Sequence, residues 1–212
     1  MKITNEVTKL DCTKGSYVYA VKGAEGVTLI DTCMPGRGEA ILAELAADGI
    51  TPGGVKRILL THHDIDHIGS AAFLQEKTGC AIYISAGDYP YVMEGKKRQK
   101  LKRLFGALMK VRKPKEVSKI QGERVGEFTV IPAPGHTEGH TVFRFKNVLF
   151  LGDLVRSKGG KPAMSPGIMT WDKNAALESI KALPVKGAEW LCPAHGEPVK
   201  AESWAEFVKG LK

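Results

Sequence analysis

The residues best suited to chemistry lie in one stretch, Thr61 to Gly69, which follows the apolar run 58–60. Branched apolar residues predict a buried strand, so this stretch is expected on a loop at the strand's carboxyl end, before a helix that opens near Ser70. Five of the six positions from 62 to 67 carry an imidazole or a carboxylate, namely His62, His63, Asp64, Asp66 and His67. So many titratable groups would repel or desolvate one another unless a metal ion neutralised them. Such ligands suit zinc, iron or manganese; the alternative interpretation is a solvated polar turn.

Three further groups stand in similar surroundings later in the chain. His136 lies in a Pro-Gly-His-Thr segment, Asp153 follows the apolar run 148–152, and His195 lies in Pro-Ala-His-Gly. Each ends a strand-like run or occupies a Pro/Gly turn, where ligands carried by loops are expected. All six histidines of the chain fall within these motifs and the first stretch, which favours a shared site.

Together with Asp31, in Leu-Ile-Asp-Thr, these motifs resemble those of the metallo-β-lactamase-fold superfamily of hydrolases. That family has a strand-end Asp, an H-x-H-x-D-H segment, a His in a P-G-H-T turn, an Asp after Gly, and a final His turn. All five motifs appear here in order and across nearly the whole chain. The resemblance implies an α/β fold, a four-layer αβ/βα sandwich, formed by a single domain over 1–212. The glyoxalase II and lactonase branches are the most similar.

The resemblance also implies a binuclear metal site. Its ligands would be His62, Asp64 and His136 for the first ion, Asp66, His67 and His195 for the second, and Asp153 as the bridge. Asp31, His63 and His140 would stand behind these ligands and orient them.

One position departs from the family pattern. Asp64 stands where the family usually has its second His, and His63 occupies the variable position before it. Asp64 is expected to bind the first ion. The alternatives are that Asp64 binds weakly and leaves the first site partly empty, or that His63 replaces it, which would require a different path of the turn.

Two divalent metal ions are therefore the expected cofactors. Zinc is the first expectation, and iron or manganese are alternatives that the carboxylate-rich ligand set favours. The nucleophile would be a hydroxide that bridges the ions, since coordination lowers the pKa of water from about 15.7 to about 7. Asp66 would be the catalytic residue that orients this nucleophile or accepts its proton.

The implied function is hydrolysis of a small ester, thioester or lactone. A phosphodiesterase, a non-hydrolytic di-iron redox protein and a metal-binding module without turnover are the alternatives. Glyoxalase II itself is disfavoured because the sequence lacks the C-terminal helical extension that binds glutathione in that branch. The absence of a signal peptide argues against a true β-lactamase, and the absence of a large additional domain argues against a nuclease. Di-iron redox proteins of this fold normally carry a flavin domain, and none is seen.

Composition indicates an ordinary globular protein, because 43% of its 212 residues are hydrophobic and 25% are charged. No apolar stretch has the length of a signal peptide or a transmembrane span, and we expect a cytoplasmic protein. The cysteines form no C-x-x-C pair, which fits reduced thiols. Cys192, three residues before His195, is expected to be a small buried hydrophobic residue, with a thiol close to the metals as the alternative.

The segment from Glu94 to Lys119 predicts a basic amphipathic helix, inserted between the second and third motifs. It supplies much of the formal net charge of +8. Its lysines are expected to form a solvated face, and among sharper interpretations we favour attraction of an anionic small-molecule substrate. Contact with a membrane surface or with nucleic acid is the alternative. The sequence leaves homodimer formation open.

The remaining pattern predicts an alternation of strands and helices. Strands are expected over 7–10, 16–21, 27–30, 81–85, 123–133, 141–150 and 189–192. Helices are expected over 36–47, 70–78, 171–183 and 202–211. Asp172 is predicted to be an N-cap. The segment 156–167 is predicted to be a loop that contacts substrate.

Overall fold

The computed structural model of the protein describes residues 1–97 and 111–211. They belong to two compact units, Met1–Ile120 and Gln121–Lys212. The centre of the predicted basic helix, 98–110, lies outside the described residues. Its described ends are not helical, because 94–97 and 111–117 have no regular structure and Ser118–Lys119 is a strand. Pro114 accounts for part of this difference, since proline removes a backbone donor and disfavours helical geometry in the residue before it.

The first unit contains a six-stranded sheet with strand order β1-β2-β3-β4-β5-β6. Its strands are β1 (Val7–Lys9), β2 (Tyr19–Gly23), β3 (Gly26–Ile30), β4 (Val55–Leu59), β5 (Ala81–Ile84) and β6 (Ser118–Lys119). The first three strands pair antiparallel, and β3 to β6 pair parallel. Because the carboxyl ends of parallel strands meet at one edge, the loops after β3, β4 and β5 are neighbours.

Among the described residues of this unit, four helices accompany the sheet: α1 (Gly38–Ala47), α2 (Ile65–Ile68), α3 (Ala71–Thr78) and α4 (Tyr89–Met93). One apolar cluster contains Ile41 and Leu45 of α1, Leu74 of α3, and Ile58 and Ile82 of the sheet. These side chains are almost fully buried, which explains the apolar periodicity of both helices. This apolar cluster therefore holds β4 and β5 in place, and the polar loops follow the carboxyl ends of these strands.

The second unit also contains a six-stranded sheet, and a separate hairpin of two strands. Its strands are β7 (Arg124–Val125), β8 (Phe128–Pro132), β9 (Thr141–Phe145), β10 (Val148–Gly152), β11 (Val155–Lys158), β12 (Lys161–Met164), β13 (Trp190–Pro193) and β14 (Val199–Lys200). The sheet order is β14-β13-β10-β9-β8-β7. Within it, β10 and β13 pair parallel, so the residues that follow these two strands leave from the same edge.

The β11–β12 hairpin corrects the prediction of a loop over 156–167. The two strands pair antiparallel, with Lys158 opposite Lys161. The turn between them is Gly159-Gly160, and both residues have positive φ angles, of 59° and 75°. Two residues with positive φ form the tight turn that suits the twist of a hairpin, and glycine adopts this conformation without steric cost.

Two helices belong to this unit, α5 (Lys173–Ala182) and α6 (Trp204–Lys209). The carboxylate of Asp172 accepts hydrogen bonds from the backbone N–H groups of Asn174 and Ala175, at 2.8 and 3.0 Å, which confirms the predicted N-cap. Ile180 of α5 and Trp204 of α6 pack into the apolar cluster of this unit. Among the described residues, no helix combines the length and the hydropathy that crossing a membrane requires.

Candidate metal centre

Asp31, directly after β3, organises the loop that follows β4. Its carboxylate accepts hydrogen bonds from both the backbone N–H and the hydroxyl of Thr61, each at 2.8 Å. Its own N–H donates to the carbonyl of Leu59 at 3.0 Å. The φ angle of Asp31 is 60°, a conformation that aspartate tolerates better than most residues. The buried carboxylate of Asp31 therefore connects the end of β3 to Thr61, the first residue of the stretch Thr61 to Gly69.

The same carboxylate determines which ring nitrogen of two histidines carries the hydrogen. His67 Nδ1 lies 2.8 Å from Asp31 Oδ2, and since a carboxylate only accepts, Nδ1 is the donor. The Thr61 hydroxyl hydrogen points at Asp31, so its oxygen accepts from His62 Nδ1 at 3.0 Å. Both imidazoles consequently carry their lone pair on Nε2, the atom that can coordinate a metal ion.

Asp64 lies beside Nε2 of His62. Its Oδ2 is 3.4 Å from His62 Nε2, and both side chains are buried. A lone pair that faces a carboxylate oxygen is favourable only when a proton or a metal ion lies between the two atoms. Two donors that bind one ion tetrahedrally at about 2.0–2.1 Å are about 3.4 Å apart, so this spacing fits a shared metal ion.

Asp66 and His67 form the next part of the stretch, on α2. Asp66 Oδ2 lies 3.7 Å from His67 Nε2. The Asp66 side chain is 30% exposed, whereas His67 is fully buried. Among the candidate ligands of this unit, Asp66 is therefore the carboxylate that solvent reaches most easily.

His63 lies between Asp88 and Asp64. Its backbone N–H donates to Asp88 Oδ2 at 3.1 Å, and its ring Nδ1 lies 3.1 Å from the same oxygen. Its ring stacks on Tyr91, with centroids 4.0 Å apart and planes 7° apart. His63 Nε2 lies 3.8 Å from Asp64 Oδ1, so the contacts within this turn do not choose between Asp64 and His63 as the ligand. Thr61, Asp88 and Tyr91 have no recognisable role in the sequence alone, because their partners here are brought to them by the fold.

The second unit brings three candidate histidines together around Asp153, which follows β10. Asp153 Oδ2 lies 3.5 Å from His136 Nε2 and 3.2 Å from His195 Nε2. One carboxylate oxygen thus lies at ligand spacing from two imidazoles. His140 Nε2 accepts the backbone N–H of Asp153 at 3.1 Å. His140 therefore uses its Nε2 lone pair to hold the backbone of Asp153.

His136 is held by the segment that leads into α5. The N–H of Trp171 donates to the carbonyl of His136 at 3.1 Å, and the N–H of Asp172 donates to the carbonyl of Gly135 at 2.9 Å. Gly135 has a φ of 147°, and a Cβ atom there would lie 2.3 Å from Cα of Ala176 in α5. The close approach of the turn to the helix therefore requires glycine at this position.

We expect Gly135→Ala to lower the free energy of unfolding by about 2–4 kcal/mol, because the new methyl group overlaps backbone atoms that cannot move independently. Urea unfolding followed by circular dichroism measures this change. Gly53→Ala is the matched control, since a Cβ at Gly53 meets no atom within 4 Å. Equal stabilities of the two variants would contradict the proposed close packing.

His195 follows β13 and is the more exposed imidazole beside Asp153, with 34% of its side chain accessible. Its carbonyl accepts the N–H of Ser157 at 2.9 Å, so the hairpin strand β11 supports this loop. Cys192 lies in β13, three residues before His195, and is fully buried. Burial raises the pKa of its thiol. It packs as a small apolar residue, which disfavours a thiolate close to the metals.

Comparison with known sequences places this geometry in context. A model of the Metallo-beta-lactamase superfamily matches residues 13–195. The uncharacterized protein YobT of Bacillus subtilis is 28% identical over 201 residues, which cover 87% of this chain and 84% of that protein. A hydroxyacylglutathione hydrolase of Xanthomonas euvesicatoria is 31% identical over 186 residues, which cover 85% of this chain. The chain spans only 60% of the length of that hydrolase.

Comparison with solved structures confirms the predicted α/β fold. TTHA1623 in a di-iron-bound form is 26% identical, with a TM-score of 0.72 over 94% of this chain and 96% of that one. A B3 metallo-β-lactamase with an active-site glutamic acid is 19% identical, with a TM-score of 0.75 over 98% of this chain and 86% of that one.

Proposed function

This chain belongs to the metallo-β-lactamase superfamily of metal-dependent hydrolases, and we propose that it uses two divalent metal ions to hydrolyse a small ester, thioester or lactone. One observation carries the proposal. In each unit, carboxylate oxygens lie 3.2–3.5 Å from imidazole Nε2 atoms, between His62 and Asp64 in the first and around Asp153 in the second. This spacing fits pairs of donors on a shared cation.

The proposed ligand set follows the order of the family motifs. The first ion would be held by His62, Asp64 and His136, the second by Asp66, His67 and His195, and Asp153 would bind both. Two features support this assignment: the family model extends over both units, and each unit supplies several buried donors at one sheet edge.

When bound, divalent ions lower the pKa of water and polarise the scissile carbonyl. Asp66 would orient the attacking water and accept its proton, since it is the solvent-accessible carboxylate of its loop. Asp31 would keep the Nε2 atoms of His62 and His67 directed at the ions through the hydrogen bonds described above. His140 would hold the backbone of Asp153 and thereby its carboxylate.

Zinc is the first proposed metal, and iron or manganese are alternatives. Three of the seven proposed ligands are aspartates, and oxygen donors favour iron and manganese more than histidines do. The similarity to TTHA1623, which holds two irons, supports testing iron in particular.

The proposed substrate is an anionic acyl compound. The similarity to hydroxyacylglutathione hydrolases supports an acyl thioester, and the net charge of +8 supports attraction of an anion. We also propose that the protein acts in the cytoplasm, which the free thiols of all four cysteines support.

Removal and replacement of the metals test this function. We expect chelation to lower kcat/KM at least about 10³-fold, and zinc, iron(II) or manganese to restore it. The substrate panel consists of anionic thioesters, esters and lactones, with bis(p-nitrophenyl) phosphate for phosphodiester cleavage. Turnover that survives complete metal removal would contradict the proposal. So would a fully loaded protein that hydrolyses none of the acyl substrates.

A further inference from the structure

Asp88 is a buried carboxylate for which the proposed mechanism has no role. It lies in the loop after β5, directly before α4, and is fully buried. Its backbone is fixed on both sides, because its N–H donates to Ser85 Oγ at 3.3 Å and its carbonyl accepts the N–H of Tyr91 at 3.1 Å. Burying a carboxylate is unfavourable unless polar contacts compensate, so its contacts indicate its purpose.

Those contacts hold residue 63 at two points. One oxygen of Asp88, Oδ2, accepts the backbone N–H of His63 at 3.1 Å and lies 3.1 Å from Nδ1 of the same residue. The face of the imidazole is covered by the Tyr91 ring, which lies parallel to it. The backbone, the ring edge and the ring face of His63 are therefore all constrained by the loop after β5 and by α4.

Asp64 is the next residue in the chain. Its Oδ1 lies 3.8 Å from His63 Nε2, and its Oδ2 lies 3.4 Å from His62 Nε2. The carboxylate thus lies between a constrained ring on one side and a candidate metal ligand on the other. An aspartate side chain is shorter than a histidine side chain, so its distance to an ion depends more strongly on where the backbone is held.

We propose that Asp88 positions Asp64 as a metal ligand, acting through His63. Strands β3 and β5 flank β4 in the sheet, and the loop after each supplies one buried aspartate to the loop after β4. Asp31 holds Thr61 and His67, and Asp88 holds the intervening turn at His63. The inference rests on the proposed function, because it assumes that Asp64 binds the first ion.

Cobalt titration followed by absorption spectroscopy tests this role. We expect Asp88→Ala to weaken one of the two cobalt sites about 10–100-fold and to leave the other within about twofold, as is typical for residues that orient metal ligands. Asp88→Asn keeps an uncharged acceptor of the same shape, so a smaller weakening of the same site is expected. If the alanine variant does not fold, the asparagine variant decides the question.

Ile82→Val is the control for a general effect on stability. Ile82 is buried in β5 and belongs to the apolar cluster, so this variant should keep both cobalt affinities while it unfolds at a lower temperature. A cobalt affinity that falls equally in Ile82→Val would show that Asp88 acts only through the stability of β5 and would overturn the inference.

A double-mutant cycle then tests whether Asp88 acts through Asp64. In an Asp64→Ala background, Asp88→Ala should change the remaining affinity of the first site less than about twofold. Additive losses would overturn the inference.

Wild-type protein that binds fewer than two cobalt ions would contradict the proposed function itself. If the wild-type protein binds two cobalt ions and both Asp88 variants bind them with unchanged affinity, this inference is contradicted and the proposed function is not.

Discussion

Asp153→Ala is expected to lower kcat/KM at least about 10³-fold, equivalent to about 4 kcal/mol of transition-state stabilisation, and to leave fewer than two ions per chain. The variant removes the oxygen that lies 3.5 Å from His136 Nε2 and 3.2 Å from His195 Nε2. Because that oxygen is proposed to contact both ions, neither site can retain its full set of ligands. Metal analysis together with steady-state kinetics on the best acyl substrate measures the effect.

The fold should survive this change, because His140 binds the backbone N–H of Asp153, which alanine keeps. Glu178→Ala is the matched acid-to-alanine control, since Glu178 is an exposed residue of α5 that pairs with Lys181. It should retain both ions and the wild-type rate. Asp153→Ala protein with two ions and undiminished kcat/KM would contradict the role of Asp153 as a shared ligand.

Asp64→Ala is expected to weaken the first ion at least about 100-fold and to lower kcat/KM by a similar factor. The physical reason is the loss of the carboxylate that faces His62 Nε2 at 3.4 Å. Asp64→His introduces the residue that the family usually has, so it should keep two ions and shift the preference from iron or manganese toward zinc. Metal content after growth with each metal measures both effects.

His63→Ala separates the two possible ligands in this turn. If Asp64 is the ligand, His63→Ala should retain more of the first ion than Asp64→Ala does. The reverse order, with Asp64→Ala keeping both ions and full activity, would show that the first site is assigned to the wrong side chain.

The sequence was sufficient to predict the fold and the strand ends that carry polar loops. Strands β3 and β10 are apolar runs followed at once by Asp31 and Asp153, and the apolar ends of β4 and β13 are followed within two residues by Thr61 and His195. That change of polarity locates the sheet edge. The N-cap at Asp172 was predictable for the same reason, since its side chain acts on neighbours in sequence. Features that depend only on residues adjacent in sequence can be predicted without knowledge of the tertiary structure.

Features that depend on contacts between distant segments were not predictable. Asp88 lies in a Gly-Asp-Tyr-Pro segment that is typical of an ordinary turn, and only the pairing of β4 with β5 brings it to His63. The β11–β12 hairpin was missed although its Gly159-Gly160 turn is a known hairpin signal, because its strands carry little apolar alternation. Outside the described residues, the centre of the predicted basic helix stays a prediction.

Metal content per chain, measured by plasma mass spectrometry on untagged protein together with its absorption spectrum, tests the central claim most directly. The proposed function predicts two divalent ions per chain, and their removal should abolish hydrolysis. Two irons with a charge-transfer band would favour redox chemistry if no acyl substrate were turned over. Full hydrolytic activity in a protein that holds no metal, or only one ion, would contradict the binuclear assignment.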